Sequence, residues 1–515
     1  MLSALLAYGY LPRELPPLFG SQSLAGLGKV SSNLPVSMTK EKADWTQPAY
    51  HNLARVGGLR RRLTVPNPAN FFRLGKVFDR YSDLLMAEWE KSPFSKTLPR
   101  ISPQGPRGIA NEPTDRAIAK ASARIGARYL LRADISQFYP SIYTHSISWA
   151  LHTKKVAKTA FNDMSLAGNV LDKELQACQF GQTKGVAIGP DTSLGVAELL
   201  LAPIDRRLDD ECQIMGGARF IDDMEFSFQK LADAEATLAR LESMLYEYEL
   251  QLNGNKTEIL ELPETLESKY VTKLRCHIPT LTRGTKSQWI DYFNHAFMLA
   301  KEHQSDGVLR YAIAALQGIT ATEKCWSLVQ TLLWQSVALD PGCLRFVIDV
   351  LLLHKHRVSY VPDGEIASLA IESLIINSAP VGHGSEILWS IWAAMQLGIT
   401  LSQDAQQAIA GMDDAFVAVA AMVAKRRNVF VGDFSSPIWE SWLIEDCFRQ
   451  EHWLFGYEAN RRGWCTDRVR AAKLHNEPTV QALTEADVTF LIDDKVDGYV
   501  PNKLRTYDRG GGGYH

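Results

Sequence analysis

The chain has 515 residues, 46% of them hydrophobic and 22% charged, with a formal net charge of −3. This is ordinary globular composition, enough for two to four domains. No apolar run has the length of a membrane span, and Met1 to Tyr10 lacks a positive leader before Pro12, Arg13 and Glu14, so a cytoplasmic protein with neither span nor secretory signal is expected. The seven cysteines (178, 212, 276, 325, 343, 447, 465) are scattered and never spaced as a zinc pair, which predicts reduced, buried thiols. Residues 1–130 carry 19 Lys and Arg against 9 Asp and Glu, and the remainder is acidic. A basic front section suits phosphates, and equally a solvated surface.

In chain order, residues 1–130 mix short helical patterns with turn-rich stretches such as Pro66-Asn67-Pro68 and Ser102-Pro103-Gln104-Gly105-Pro106, and read as an irregular subdomain that wraps something else. Tyr129-Leu130-Leu131-Arg132-Ala133-Asp134-Ile135 reads as a buried strand ending in an acid, followed by a helix over Ser146 to Lys158. A glycine-bearing loop, Gly181 to Pro190, feeds an apolar helix from near Ser193 to about Ala202, where Pro203 is expected to end or kink it. Ala218 to Ile221 and Met224 to Phe228 flank Asp222-Asp223 as strands of a tight hairpin. An amphipathic helix over Ala232 to Leu250 follows. Beyond about Gln288 nearly every segment reads as a helix: Asp291–His303, Val308–Leu316, Cys325–Leu339, Leu344–His354, Glu365–Ile376, Ser385–Leu397 and Ala415–Lys425. Helix pairs separated by Pro, Gly and Asp fit an α-solenoid of the HEAT type, with an irregular bundle as the alternative because no fixed period is visible. The tail Arg509 to His515, with its four consecutive glycines, is expected to be flexible.

Two metal ions that clamp an attacking 3′ oxygen and a leaving pyrophosphate need oxygen ligands converging from adjacent strands. Asp134 at the end of one strand and Asp222-Asp223 on a hairpin turn offer that arrangement. A second pair, Asp493-Asp494 in Phe490-Leu491-Ile492-Asp493-Asp494, looks similar but lacks an upstream strand ending in Asp at the same spacing, a glycine loop and a downstream basic motif. It is expected to be an ordinary acidic turn.

The order of the motifs carries a resemblance. Ala133-Asp134-Ile135-Ser136-Gln137-Phe138-Tyr139-Pro140-Ser141-Ile142-Tyr143 resembles motif A of reverse transcriptases, and Gly185-Val186-Ala187-Ile188-Gly189-Pro190-Asp191-Thr192-Ser193 resembles motif B. Phe220-Ile221-Asp222-Asp223 stands where that family has its Tyr-x-Asp-Asp box, with Phe220 in place of the Tyr, and Leu252-Asn253-Gly254-Asn255-Lys256-Thr257 resembles motif D. The resemblance implies two Mg²⁺ ions held by Asp134, the carbonyl of Ile135 and Asp222, with Asp223 a supporting carboxylate. It implies Tyr139 beneath the sugar, favouring dNTP over rNTP, and Gly185, Gly189 and Pro190 close to the nucleotide. Lys256 would neutralise or protonate pyrophosphate. Arg107, Arg116 and Arg124 are candidates for gripping the triphosphate, and His145 is expected to cap and position the loop after motif A.

Phe138 to Ile147, Gly189 to Ser193, the opening Gly9-Tyr10-Leu11-Pro12-Arg13-Glu14-Leu15-Pro16-Pro17 and Pro66-Asn67-Pro68 are similar to the bacterial abortive-infection (Abi) polymerases, the AbiK group, among defence-associated reverse transcriptases. That narrower resemblance implies antiphage defence, DNA synthesis without a template from a protein tyrosine, single-stranded DNA attached to the protein, and a homo-oligomer. Tyr8, Tyr10 and Tyr514 are the candidate priming residues, with Tyr8 favoured. The expected fold is an α+β reverse-transcriptase fingers and palm followed by an all-α HEAT-like repeat domain. The expected units are 1–128 (extension and fingers), 129–285 (palm), 286–500 (helical repeats) and 501–515 (tail). The alternatives are a conventional RNA-templated reverse transcriptase and a helical-repeat scaffold whose degenerate palm binds nucleic acid.

Overall fold

A computed structural model describes residues 1–29, 34–102, 107–111, 115–279 and 284–501. Its eight strands are β1 (Ala49–Ala54), β2 (Arg60–Val65), β3 (Pro99–Ile101), β4 (Ile109–Asn111), β5 (Tyr129–Asp134), β6 (Gly216–Phe220), β7 (Asp223–Phe228) and β8 (Glu258–Glu261). β1–β2 and β3–β4 are separate antiparallel hairpins, and the other four form one sheet in the order β6-β7-β5-β8. Alternation along β5 and β7 gives this sheet two unlike faces. Leu131, Ala133, Met224, Phe226 and Phe228 enter an apolar core with helix Thr192–Glu211, while Arg132 and Asp134 lie opposite Glu225 and Asp223 on the other face.

Two expected helices differ. The stretch after motif A is broken into His145–His152 and Lys154–Thr159, because Thr153 adopts φ 68° and its Oγ1 accepts from Val156 N to cap the second piece. The helix at Thr192 runs through Pro203 to Glu211 instead of stopping. Burial on both sides of the proline outweighs the single backbone bond it removes: Leu199, Leu200, Ile204 and Leu208 are all in the core.

The C-terminal part is helical. Helices Lys286–Glu302, Val308–Ala315, Glu323–Leu339, Leu344–Val358, Gly364–Ser378, Gly384–Leu397 and Ala415–Lys425 lie where the apolar periodicity placed them. From Lys286–Glu302 through Leu344–Val358 each helix packs on the next but one in this series, as in stacked helical hairpins. Helix Lys269–His277 begins this region, its Tyr270, Val271 and Leu274 joining the same core. That core also takes in Leu6, Tyr10, Leu18, Phe19, Phe71 and Phe72, so the expected units 1–128 and 286–500 share one apolar interior. The wrapping by the first residues is concrete: Gly20 N donates to Phe490 O (3.1 Å), Ile492 N to Leu18 O (2.8 Å) and Asn67 Nδ2 to Phe448 O (2.6 Å). Asn67 also caps helix Pro68–Arg80, accepting from Ala69 N, with Pro68 at the first helical position.

All seven cysteines are free; Cys178, Cys325, Cys343 and Cys447 are buried, but Cys276 is exposed, contrary to expectation, on a helix whose Tyr270 and Leu274 face inward. No described helix is long and apolar enough to cross a membrane. Tyr514, the glycine tail and Pro103 to Pro106 lie outside the described residues.

Candidate active site

Asp134 and Asp223 are cross-strand partners on β5 and β7, and Asp222 sits on the turn between β6 and β7. Like charges placed opposite each other on one face repel, and each has a cation. Lys256 Nζ reaches Asp134 Oδ2 at 3.1 Å, and Arg116 reaches Asp223 Oδ2 at 3.3 Å. The segment bearing Lys256 is pinned to β5 by its backbone: Asn253 N donates to Asp134 O (2.7 Å), Ser136 N to Gln251 O (2.8 Å), and Asn253 Nδ2 to Asp134 Oδ1 (3.1 Å). Asp222 is closely surrounded by protein and pushed up to about 7, by desolvation first and then by the charge of Asp134.

The turn carrying Asp222 is strained and braced. Ile221 has φ 60°, a region β-branched residues avoid. Thr97 Oγ1 accepts from its N–H at 3.0 Å, and Arg219 Nη1 donates to its carbonyl at 2.9 Å. Arg219 is fully buried and paired with Glu198 (2.8 Å) and Asp205 (2.7 Å) from helix Thr192–Glu211; Thr97 Oγ1 donates to Glu198 (2.7 Å). Sequence reasoning did not find this network. Its signal is two acids seven residues apart in an apolar helix, one face of which must therefore meet a buried cation.

The polar face of the sheet explains two of the candidate arginines. Helix Arg116–Ala123 lies along it, and Arg116, Lys120 and Arg124 recur at a spacing of four, about 6 Å of helix. Asp223 and Glu225, two apart on β7, are about 7 Å apart in rise. The two ladders match. Arg116 takes Asp223 and stacks 4.1 Å from the Phe220 ring centroid, while Arg124 forks onto Glu225 at 2.7 and 3.0 Å.

Motif B serves chain packing. Asp191 Oδ2 accepts from Gly108 N (2.8 Å) and Ile109 N (3.0 Å), its other oxygen is paired with Arg107, and its N–H donates to Gly9 O (2.8 Å). Arg107 also donates to Leu11 O and Gly189 O, both at 3.0 Å, so this candidate for the triphosphate is committed to the fold. The close approach made by Gly189 is to its own chain: at φ 138°, an added Cβ would stand 2.5 Å from Pro12 Cγ. Pro190 is buried beside it. Gly189→Ala is expected to lower stability by about 1–3 kcal/mol in chemical denaturation. Tyr139 is 8% exposed, in the core of the sheet, and its carbonyl accepts from Val186 N at 3.0 Å.

Other candidates are dispersed. Tyr10 is fully buried among Phe71, Trp453 and Phe490, and its hydroxyl donates to Pro66 O at 2.5 Å, which removes it as an accessible nucleophile. Tyr8 is half-buried at the end of helix Leu2–Tyr8. His145 begins its helix with Nδ1 2.5 Å from Asp172, a positioning contact. Asp493 lies in a one-turn helix and pairs with Arg462 at 3.0 Å, far along the chain from the sheet.

Among the described residues no three His, Cys, Asp or Glu side chains are arranged to hold one metal ion between them. The donors of the cleft are nevertheless those of a hard cation. Asp134 and Asp222 are crowded enough to raise the second of them, and such an ion takes one or two carboxylates and fills its other positions with water and phosphate.

An antiparallel sheet that sets a strand-end aspartate beside an aspartate hairpin is the framework of a palm-type nucleotidyl-transfer domain. Residues 82–292 match the family described as reverse transcriptase (RNA-dependent DNA polymerase), so a reverse transcriptase domain occupies somewhat less than half of the chain. Among solved structures, apo telomerase from Candida tropicalis is similar at 9% sequence identity and a TM-score of 0.32, over 83% of this chain and 76% of that one. No curated protein matches the sequence.

Proposed function

We propose that this protein is a DNA polymerase of the reverse-transcriptase type that acts in antiphage defence, joining deoxynucleotides without a template and from a tyrosine of its own. The observation that carries the polymerase reading is the meeting of Asp134 and Asp222 beside Lys256. Asp134 and Asp222, with the carbonyl of Ile135, would hold two Mg²⁺ ions, with Asp223 as support. When bound, such ions lower the charge on the reacting phosphate and orient it. Lys256, half exposed beside Asp134, would meet the departing pyrophosphate and supply it a proton. Tyr139 would back the sugar.

The defence setting, protein priming and oligomeric assembly rest on the resemblance to the Abi polymerases. The stacking of each helix from Lys286–Glu302 through Leu344–Val358 on the next but one supports a HEAT-like reading of that region. Tyr8 is the priming candidate that remains among the described residues, one position before the Gly9 carbonyl that holds Asp191. The family description favours one second reading, synthesis on an RNA template.

The test is incubation of purified protein with each labelled dNTP alone. Template-free incorporation, with product that stays with the protein after denaturation and is released by nuclease, is expected. Incorporation that requires an RNA template and a primer decides for the second reading, and none under any condition leaves a nucleic-acid-binding scaffold. Lys256→Ala is expected to cut the rate of incorporation about 10²-fold, measured with saturating labelled dNTP.

A further inference from the structure

Two large rings, Trp45 and Phe180, stand 54% and 49% exposed on segments that are hydrogen-bonded to each other. Phe180 N donates to Thr46 O at 3.0 Å, and Thr46 N to Ala177 O at 3.3 Å. A polar network beneath fixes the segment that bears Trp45. Asn70 Nδ2 donates to Asp44 O (2.7 Å) and Ala177 O (3.1 Å), and its Oδ1 accepts from Thr46 Oγ1 (2.9 Å). Arg73, forked onto Glu174 at 2.6 and 2.9 Å, donates to Lys40 O at 2.6 Å. The backbone under Trp45 is thus held by buried groups, while its ring is left in water.

The indole is laid on a glycine. A Cβ built on Gly181 would stand 2.9 Å from Cδ2, Cε3 and Cζ3 of Trp45, three consecutive atoms of the six-membered ring. A point equidistant from these lies on the axis of that ring, so Gly181 covers one face of the indole and the exposure belongs to the other. Phe180, just before it, has φ 56°, a region that bulky side chains avoid and that glycine or asparagine fills at helix ends. A half-exposed ring offsets little of that strain by burial, which points to a use outside the fold.

The surroundings define what fits. Glu41, Lys42, Gln179, Gln182 and Lys184, the neighbours in sequence, are polar, unlike the continuous apolar surface a protein partner buries. Lys42 and Lys184 are exposed and pair with no carboxylate among the described residues. Rings with an open face take bases by stacking, and lysines beside them take phosphates, the combination that suits a single strand with its bases unpaired. The loop after Phe180 leads toward the palm: Thr144 N donates to Thr183 O (2.8 Å), Gly185 N to Ile142 O (2.7 Å) and Val186 N to Tyr139 O (3.0 Å).

We propose that Trp45 and Phe180, at the far end of that loop from motif A, form a stacking platform for the bases of a single-stranded nucleic acid, the strand the protein has itself made. The identity of the strand rests on the nucleotidyl-transfer reading; the platform does not.

Binding of labelled oligo(dT) to the full chain, measured by fluorescence anisotropy without nucleotide or divalent ion, tests this apart from turnover. Trp45→Ala is expected to weaken oligo(dT) about tenfold, the scale of one stacked base, and to leave a hairpin duplex and an abasic oligomer of equal length unchanged. Trp45→Phe is expected to recover part of the loss. Phe180→Gly removes a ring and relaxes the backbone at once, so weaker oligo(dT) binding is expected without a fall in melting temperature. In incorporation assays Trp45→Ala is expected to shorten the products while the rate of the first addition stays the same. Unchanged oligo(dT) binding in Trp45→Ala and Phe180→Gly overturns the platform and leaves the two rings to a protein partner. Equal weakening of oligo(dT), duplex and abasic oligomer also overturns it, since charge alone would then hold the strand. A wild-type protein that binds oligo(dT) through Trp45 yet incorporates nothing sinks the polymerase reading and leaves the platform in place. Wild-type incorporation together with unaltered binding in both variants sinks this inference alone.

Discussion

Asp222→Asn is expected to lower dNTP incorporation by about 10³-fold or more, while the metal-free variant becomes more stable than the wild type at pH 8. The first effect follows from position: Asp222 shares the cleft with Asp134, and an amide in its place gives up the charge that would hold an ion, several kcal/mol in the transition state. The second follows from linkage. The folded protein holds the proton of Asp222 up to about pH 7, above its ordinary value of 3.8, so the folded state binds more protons than the unfolded one between these values. Stability from this group is therefore full below about pH 4 and falls as pH rises, until the whole penalty is present above about 7. Asparagine removes the penalty, on the order of 2 kcal/mol after discounting for the open side of the cleft. Denaturant midpoints measured without divalent ions check this: the gap between variant and wild type should widen from pH 4 to pH 8. A gap independent of pH would mean that the crowding of Asp134 and Asp222 is not felt.

Arg219→Met is expected to cost about 3–5 kcal/mol in chemical denaturation, among the largest losses from any single change in the sheet. Arg219 is fully buried between Glu198 and Asp205, and these outweigh the desolvation that would otherwise favour its neutral form. Methionine fills comparable space but leaves two carboxylates inside the protein without their cation. It also releases the carbonyl of Ile221, so the strained turn under Asp222 relaxes and incorporation falls with stability. An unaltered denaturation midpoint would show that the network does not brace the turn.

What the sequence determined by itself is whatever depends on neighbours along the chain. Strand β5 ending in Asp134, the Asp222-Asp223 hairpin and seven of the C-terminal helices follow from periodicity and turn chemistry, which act within a dozen residues. The late Asp493-Asp494 pair was likewise distinguishable by its surroundings. Tertiary structure decided which charges meet. Whether Arg116 and Arg124 face a ligand or the Asp223–Glu225 ladder depends on a helix lying across a strand about a hundred residues away. Whether Tyr10 is a nucleophile or a core ring depends on Trp453 and Phe490. Pro203 inside a helix and Ile221 in a left-handed turn break local rules, because burial and buried ion pairs outweigh preferences of one to a few kcal/mol per residue. Local preference acts through bonds and near neighbours and so can be read from order alone, whereas burial and charge act through space and exist only once distant segments have met.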